Sequence, residues 1–260
     1  MFDIYVISLK KDKYRRDILK VLFPLSYDRF KFIEAVNRED IDINFYFEKL
    51  IDFEKEYKRL MTPSEMGCTL SHIKALEEFI KSGKKHALIL EDDIIGNDQD
   101  IEDIEKTVLS IEFNGIVLCG GQEGLPPDWG KFRYGTKIAI APNLFESTNY
   151  SIGFFSRAAC YIVDRSFALH YIEKNSKKIL LADDWVKYFN DTNYTLYFKK
   201  WFSHPINLSS SNIEDQRLLV ESRVNRLNII KNIFWVKFFK KINNFYHLFI
   251  FKLKGLVRIE

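Results

Sequence analysis

The densest cluster of reactive groups in this chain is Glu91-Asp92-Asp93, three acids that follow the apolar run Ala87-Leu88-Ile89-Leu90. A short apolar run of this kind is compatible with a buried parallel strand, and ligands of open α/β sheets sit at the carboxyl ends of such strands. Three adjacent carboxylates repel one another and are costly to leave dry. A hard divalent cation, Mn²⁺ or Mg²⁺, relieves the repulsion and keeps coordination positions open for diphosphate oxygens. The inert alternative is a solvated acidic loop after a strand.

Upstream, Thr62-Pro63-Ser64-Glu65 has the form of a helix start, with Thr62 as N-cap, Pro63 at the first helical position and Glu65 closing a capping box. Leu70, Ile73, Leu76, Phe79 and Ile80 give an apolar stripe at helical spacing, and Ser82-Gly83 ends it. Gly67 costs such a helix about 1 kcal/mol relative to alanine. Gly67 and Ser71 are four apart, as are Cys68 and His72, so their small groups stack into a groove. Close packing on a sheet, with His72 as a hydrogen-bonded core histidine, is the plainer account of the same residues.

Taken in order, these segments resemble bacterial glycosyltransferase family 25, the group that includes lipooligosaccharide galactosyltransferases. The resemblance is carried by Val6-Ile7-Ser8-Leu9 with Arg15-Arg16, Glu65-Met66-Gly67-Cys68, Leu70-Ser71-His72 and Leu90-Glu91-Asp92-Asp93. Ala158-Ala159-Cys160-Tyr161-Ile162-Val163 and Ala182-Asp183-Asp184 complete it, over roughly residues 1–215. Arg157 and Cys160 stand where the family usually has glycines. The resemblance implies a GT-A-type nucleotide-sugar-binding α/β domain with a mostly parallel sheet. It also implies an inverting, metal-dependent transfer of a hexose to a lipooligosaccharide or lipopolysaccharide acceptor. Galactose from UDP-galactose, in β linkage, is the first expectation.

Each step of that chemistry needs a group. Glu91 and Asp93 point the same way on an extended segment and are the expected metal ligands, with Asp92 turned toward ribose or sugar. His204 is a third candidate ligand; a surface loop histidine is the alternative. Ser8, Leu9 and Arg15 or Arg16 are placed to meet the nucleotide at the end of the first strand, where arginine offers bidentate charge complementarity. On the resemblance, Gly67, Ser71 and His72 belong to the nucleotide-sugar site. An inverting transfer needs a base for the acceptor hydroxyl, and Asp183 and Asp184 are the candidates, Asp183 aligning better with the family's acid. A carboxylate there is also a routine helix cap. A non-catalytic carbohydrate- or membrane-binding module on the same fold is the rival reading.

Composition fits one enzyme domain with a surface attachment. The chain has 260 residues, 47% hydrophobic and 29% charged, with 23 phenylalanines. Three widely spaced cysteines (Cys68, Cys119, Cys160) lack a Cys-x-x-Cys pair and read as reduced thiols of a cytoplasmic protein. Asp3 and the charges from Lys10 to Arg16 leave no signal-peptide core, and no apolar run approaches a membrane span. Residues 1–226 therefore read as the glycosyltransferase domain and 227–260 as a tail. The tail carries seven Lys/Arg against the single acid Glu260, interleaved with eight aromatics. That pattern suits amphipathic helices lying on an anionic membrane, here the inner face of the cytoplasmic membrane where a lipid-linked oligosaccharide would be met. Aromatics packed on the domain are the alternative; nucleic acid is not expected, because no recognition module accompanies the charge.

The elements that position these groups alternate. Strands are expected at Asp3–Leu9, Phe30–Ala35, 86–90, Ile116–Cys119, Cys160–Val163 and Tyr194–Phe198. Helices are expected at Asp12–Leu22, 63–82, 99–111, Ser166–Asn175 with Ser166 as cap, and Asp183–Phe189. Residues 37–60 read as a charged, aromatic insertion, and the glycine-rich 120–135 as a loop long enough to act as a lid. Alternation of this kind indicates an α/β domain.

Overall fold

The computed structural model describes residues 2–126, 128–206 and 234–259, the last stretch with side chains from residue 243. The boundary expected at 226/227 and Lys231 lie outside the described residues, as do the side chains of Lys237, Lys240 and Lys241.

A nine-stranded sheet forms the centre. Its first strands are β1 (Asp3–Ser8), β2 (Phe30–Glu34), β3 (His86–Glu91) and β4 (Gly115–Gly120). They are followed by β5 (Tyr134–Lys137), β6 (Phe145–Ser147), β7 (Cys160–Asp164), β8 (Thr195–Phe202) and β9 (Val257–Arg258). The order is β2-β1-β3-β7-β4-β8-β6-β5-β9. β1 pairs in parallel with both β2 and β3, and β4 with β8; β7 runs antiparallel between β3 and β4, and the β6-β5-β9 end is antiparallel. The α/β expectation holds, but the sheet is mixed and not mostly parallel: three pairings are parallel and five antiparallel, with β1, β2 and β3 joined in parallel.

Successive side chains of the central strands enter opposite cores, which is why β3 and β4 read as unbroken apolar runs. Tyr5, Ile7, Ile89, Leu118 and Val163 face one layer of helices: α3 (Pro63–Lys81), α6 (Arg165–Lys177) and α7 (Trp185–Phe189). Ile4, Val6, Leu88, Leu90 and Val117 face the other, built from α1 (Lys13–Leu22) and α4 (Asp98–Ser110). The short α5 (Asn149–Ile152) follows β6.

Helix α3 begins as its sequence dictates: Thr62 Oγ1 accepts from the Glu65 amide and the Glu65 carboxylate from the Thr62 amide. α6 starts one residue earlier than expected. Asp164, not Ser166, is its cap, and its Oδ1 accepts from both the Phe167 amide and the Ser166 hydroxyl. The Ser166 hydroxyl is thereby engaged as a donor to the cap. The 37–60 insertion is mostly helix, α2 (Ile43–Tyr57), capped by Asp42 and packed through Phe53 against Met61, Met66 and Ile179.

The end of the tail docks on the domain. Helix α8 (Phe234–Leu253) leads into β9, which pairs with β5, and Ile259 is buried in the core. His247 stacks on Tyr150 at 3.9 Å, Asn244 accepts from the Tyr150 hydroxyl, and Phe251 is buried beside Tyr134. Phe245, Tyr246, Phe249 and Leu253 stay exposed. The tail thus has one face on the domain and an apolar face outward. No described helix is long and apolar enough to cross a membrane.

Gly67 is required by packing. A Cβ there would lie 2.7 Å from the backbone oxygen of Val36, in the loop after β2. Overpacking of this kind costs about 1–3 kcal/mol, against about 1 kcal/mol of gained helix propensity. Gly67→Ala is therefore expected to lower the melting temperature by several degrees; an unchanged or raised value in thermal denaturation would refute the constraint.

Candidate functional site

The carboxyl ends of β1, β2 and β3 lie side by side because the three strands are parallel; Ile7 is opposite Glu91 and Ser8 opposite Glu34. They open onto a cleft of about 200 Å³ lined by Ser8, Leu9, Arg15, Ser71, His72, Glu91, Asp92, Asp93, Asp183 and His204, among others. Ten residues singled out from sequence thus meet in one place.

Within the acid cluster each carboxylate has a different environment. Asp92 is buried and accepts from Arg15 Nη1 at 2.9 Å; the same nitrogen lies 3.2 Å from Asp93 Oδ2. Burial works against the Arg15 charge, but Asp92 and Asp93 outweigh it and hold its pKa up. Burial raises the Asp92 carboxyl, with Ser8 and Arg15 offsetting only part of the shift. Burial would raise Glu91 as well, but its hydrogen bond with His72 and the nearby His72, His204 and Arg15 charges bring it below the usual range. Asp93 is pushed up to about 6, first by burial and then by the Glu91 charge. Its Oδ1 is buried and has no hydrogen-bond partner among the described residues.

His204 follows β8, three places along the sheet from β3. Ile95 and Ser203 exchange two backbone hydrogen bonds of 2.8 Å, which ties the end of β8 to the segment just past the acids. His204 Nδ1 lies 2.9 Å from the Pro205 carbonyl, and only an N–H can donate there. Nε2 lies 3.5 Å from Asp93 Oδ1, an ion pair when the ring is protonated and a lone pair open to a cation when it is neutral. Donor atoms of Glu91, Asp93 and His204 all lie within 4.8 Å of one another. Two carboxylates and an oriented imidazole, with one buried oxygen unsatisfied, fit a divalent cation.

The paired acids separate. Asp183 lines the cleft, and its Oδ2 accepts from the Ser156 hydroxyl at 2.7 Å and the Arg157 amide at 2.8 Å. Asp184 is the cap of α7 and accepts from the Tyr57 hydroxyl at 2.6 Å; it is not among the cleft residues. Arg157 has a φ of 60°, the left-handed conformation that glycine adopts without strain. Its guanidinium donates to the Gly121 and Glu123 carbonyls, and Gln122 donates to the Ser156 carbonyl. These bonds anchor residues 121–123, so this part of the expected lid is held down.

Two of the expected nucleotide-site residues act on the backbone instead. Arg16 donates to Ser8 Oγ and to the Leu9 and Lys10 carbonyls, locking the turn after β1, and does not line the cleft. Gly67 is at the packing contact with Val36. Ser71 does both: its hydroxyl accepts from the Val36 amide at 2.8 Å, fixing the loop after β2, while the residue borders the cleft. That loop brings Asn37 and Arg38 to the cleft, and the turn after β1 brings Lys11. Sequence reasoning misses these three; the signal that could find them is position, since each follows the carboxyl end of a parallel strand.

Residues 1–187 match glycosyltransferase family 25, described as an LPS biosynthesis protein. The chain is similar to procollagen galactosyltransferase 2 of Mus musculus, 31% identical over 123 residues, which is 42% of this chain and 20% of that protein. The Homo sapiens protein of the same name is 32% identical over 98 residues, 35% of this chain and 16% of that protein. The chain therefore spans a fifth or less of the length of these relatives. Among solved structures, A197 from STIV has a TM-score of 0.41 at 14% identity, covering 80% of this chain and 87% of that one. Mannose-1-phosphate geranyltransferase from Thermus thermophilus has 0.37 at 10% identity, covering 77% and 74%.

The Asp93 environment has a measurable consequence. Its folded pKa of about 6 exceeds the ordinary 3.8, so the fold holds a proton that the unfolded chain has already released. Stability should therefore fall as pH rises between those two values and stay reduced above them. In EDTA at pH 7.5, Asp93→Asn is expected to melt several degrees above wild type, with the difference shrinking toward pH 4. Equal melting temperatures at both pH values would contradict the assignment.

Proposed function

Because the chain belongs to glycosyltransferase family 25, we propose that its cleft binds a nucleotide sugar together with a divalent cation and passes the sugar to an acceptor hydroxyl with inversion. The observation that carries this reading is the buried Asp93 Oδ1, which has no hydrogen-bond partner among the described residues, between Glu91 and His204 in a cleft that also holds Asp183. Glu91, Asp93 and His204 would hold Mn²⁺ or Mg²⁺, which supplies Lewis-acid neutralisation of the leaving diphosphate.

The chain's own groups do the rest. Lys11, Arg15 and Arg38 bring positive charge to the cleft wall, where a diphosphate is anionic. Arg15 is held by Asp92 and Asp93, so its guanidinium is oriented before any ligand arrives. Ser8 and Leu9, in the turn that Arg16 locks, border the nucleotide side. Asp183 is the base: hydrogen bonds to Oδ2 from Ser156 and Arg157 fix its carboxylate and leave Oδ1 to take the acceptor proton. Asp184, engaged by α7 and Tyr57, is a positioning residue. UDP-galactose is the proposed donor, in line with the galactosyltransferase names of the similar proteins. A β linkage to a lipooligosaccharide or lipopolysaccharide sugar is the proposed product.

A lipid-linked acceptor places the enzyme peripherally on the inner face of the cytoplasmic membrane. Exposed Phe245, Tyr246 and Phe249, with Lys252 and Lys254 beside them, support attachment through the tail to anionic lipid.

Two measurements test these readings. UDP release with a panel of nucleotide sugars should be highest with UDP-galactose, vanish in EDTA and return with Mn²⁺ or Mg²⁺. In that assay Asp183→Asn should cut kcat by about two orders of magnitude with little change in UDP affinity, while Asp184→Asn costs far less. Full activity in EDTA would remove the metal, and an active Asp183→Asn would remove the base. For the membrane, the full chain should float with anionic vesicles at low salt, and Phe245→Ser with Phe249→Ser should weaken flotation without abolishing transfer to a soluble acceptor. Failure of wild type to float would end that reading.

A further inference from the structure

The cleft holds a second set of ligand atoms. Cys68 and His72 stand four apart on α3, so their side chains lie one above the other, and Glu91 meets them from the end of β3. Their donor atoms lie within 4.8 Å of one another. This set shares Glu91 with the Glu91–Asp93–His204 trio but differs in chemistry. A thiolate, an imidazole and one carboxylate form a borderline-soft donor set that prefers Zn²⁺ to Mg²⁺ or Mn²⁺.

The distances suit that ion. With bonds of about 2.0–2.3 Å in a tetrahedral zinc site, neighbouring ligand atoms are about 3.3–3.7 Å apart. His72 Nε2 and Glu91 Oε1 are already separated by 3.3 Å, the length of one such edge. The Cys68 thiol need close by no more than about 1.5 Å to complete the triangle, within the reach of a rotamer adjustment. The imidazole is oriented from behind: His72 Nδ1 lies 3.1 Å from the hydroxyl of buried Tyr161, which can accept an N–H from Nδ1 once a cation takes the place of the proton that Nε2 shares with Glu91. All three residues border the cleft, so a fourth position faces its interior, and half-buried Cys68 can be reached from it. Cys119 and Cys160 are buried, and burial pushes both thiols up, away from thiolate.

We infer that Cys68, His72 and Glu91 form a zinc site overlapping the donor site, and that Zn²⁺ bound there inhibits transfer by withdrawing Glu91 from Asp93 and His204. Ligation converts the Cys68 thiol to thiolate and releases its proton to solvent. The binding half of this inference stands on geometry alone; the inhibitory half rests on the proposed function.

Cobalt(II) is the probe. The full-length, reduced, metal-stripped protein titrated with Co²⁺ should develop a thiolate-to-metal charge-transfer absorption in the near ultraviolet and the intense visible bands of a tetrahedral site. Zn²⁺ should bleach both. The charge-transfer band should be absent in Cys68→Ser and Cys68→Ala, and kept in His204→Ala, which leaves the set whole; circular dichroism confirms folding of each. Lack of the band in wild type, or its persistence in both Cys68 variants, overturns the site. In the transfer assay with Mn²⁺, Zn²⁺ should inhibit wild type, excess Mn²⁺ should relieve it, and Cys68→Ser should raise the half-inhibitory zinc concentration at least about tenfold. Zinc inhibition unchanged in Cys68→Ser overturns the inhibitory half. A wild type without transferase activity would fail the proposed function while the cobalt spectra still decide the site.

Discussion

Three carboxylates crowd the end of one buried strand, and the surrounding structure is organised around accommodating them. Glu91 leans on His72, Asp92 takes the Arg15 guanidinium, and Asp93 is left with an oxygen that nothing described satisfies. Uncompensated negative charge in a partly dry cleft is costly, and one arginine shared between two acids does not cancel it. Burial, and then the Glu91 charge, raise Asp93, and both are relieved by a cation. The same imbalance that destabilises the cleft is what makes it suited to the cation of the proposed function.

Holding that arrangement falls to backbone clamps more than to side chains in the cleft. Arg16 closes the turn after β1, Ser71 ties down the loop after β2, and Gly67 lets α3 approach that loop closely. On the opposite wall, Arg157 accepts a left-handed backbone, and its amide then points at Asp183. A non-glycine residue there is strained by an amount of order 1 kcal/mol. Its guanidinium compensates by anchoring the strand-end loop at Gly121 and Glu123, and Glu123 in turn accepts from the His204 amide. The walls that carry Asp93 and Asp183 are thereby coupled through one residue.

Helix α2 and the tail enclose this core without entering the chemistry. Tyr57 of α2 engages Asp184, so the second of the paired acids serves the insertion instead of the cleft. The tail contributes a strand to the sheet edge and an aromatic contact on Tyr150, while its outer aromatics stay in solvent. Such two-sidedness allows one segment to finish the domain and still present a surface.

Local patterns in the chain were sufficient for the α/β class, the α3 capping box, the apolar strands and the acid cluster, because periodicity, capping and short-range spacing are properties of neighbours in sequence. Distinguishing Asp183 from Asp184 was beyond them: adjacent acids at a helix start look alike, and only the position of Tyr57, Ser156 and Arg157 assigns one to the cleft and the other to the cap. His204 was equally ambiguous, since Glu91 and Asp93 lie more than a hundred residues away and are brought close by the Ile95–Ser203 bridge. The antiparallel insertion of β7, the anchoring of residues 121–123 and the docking of the tail likewise depend on long-range pairing. Which of two identical side chains does chemistry is set by what the fold packs against it, and that information is distributed over the whole chain.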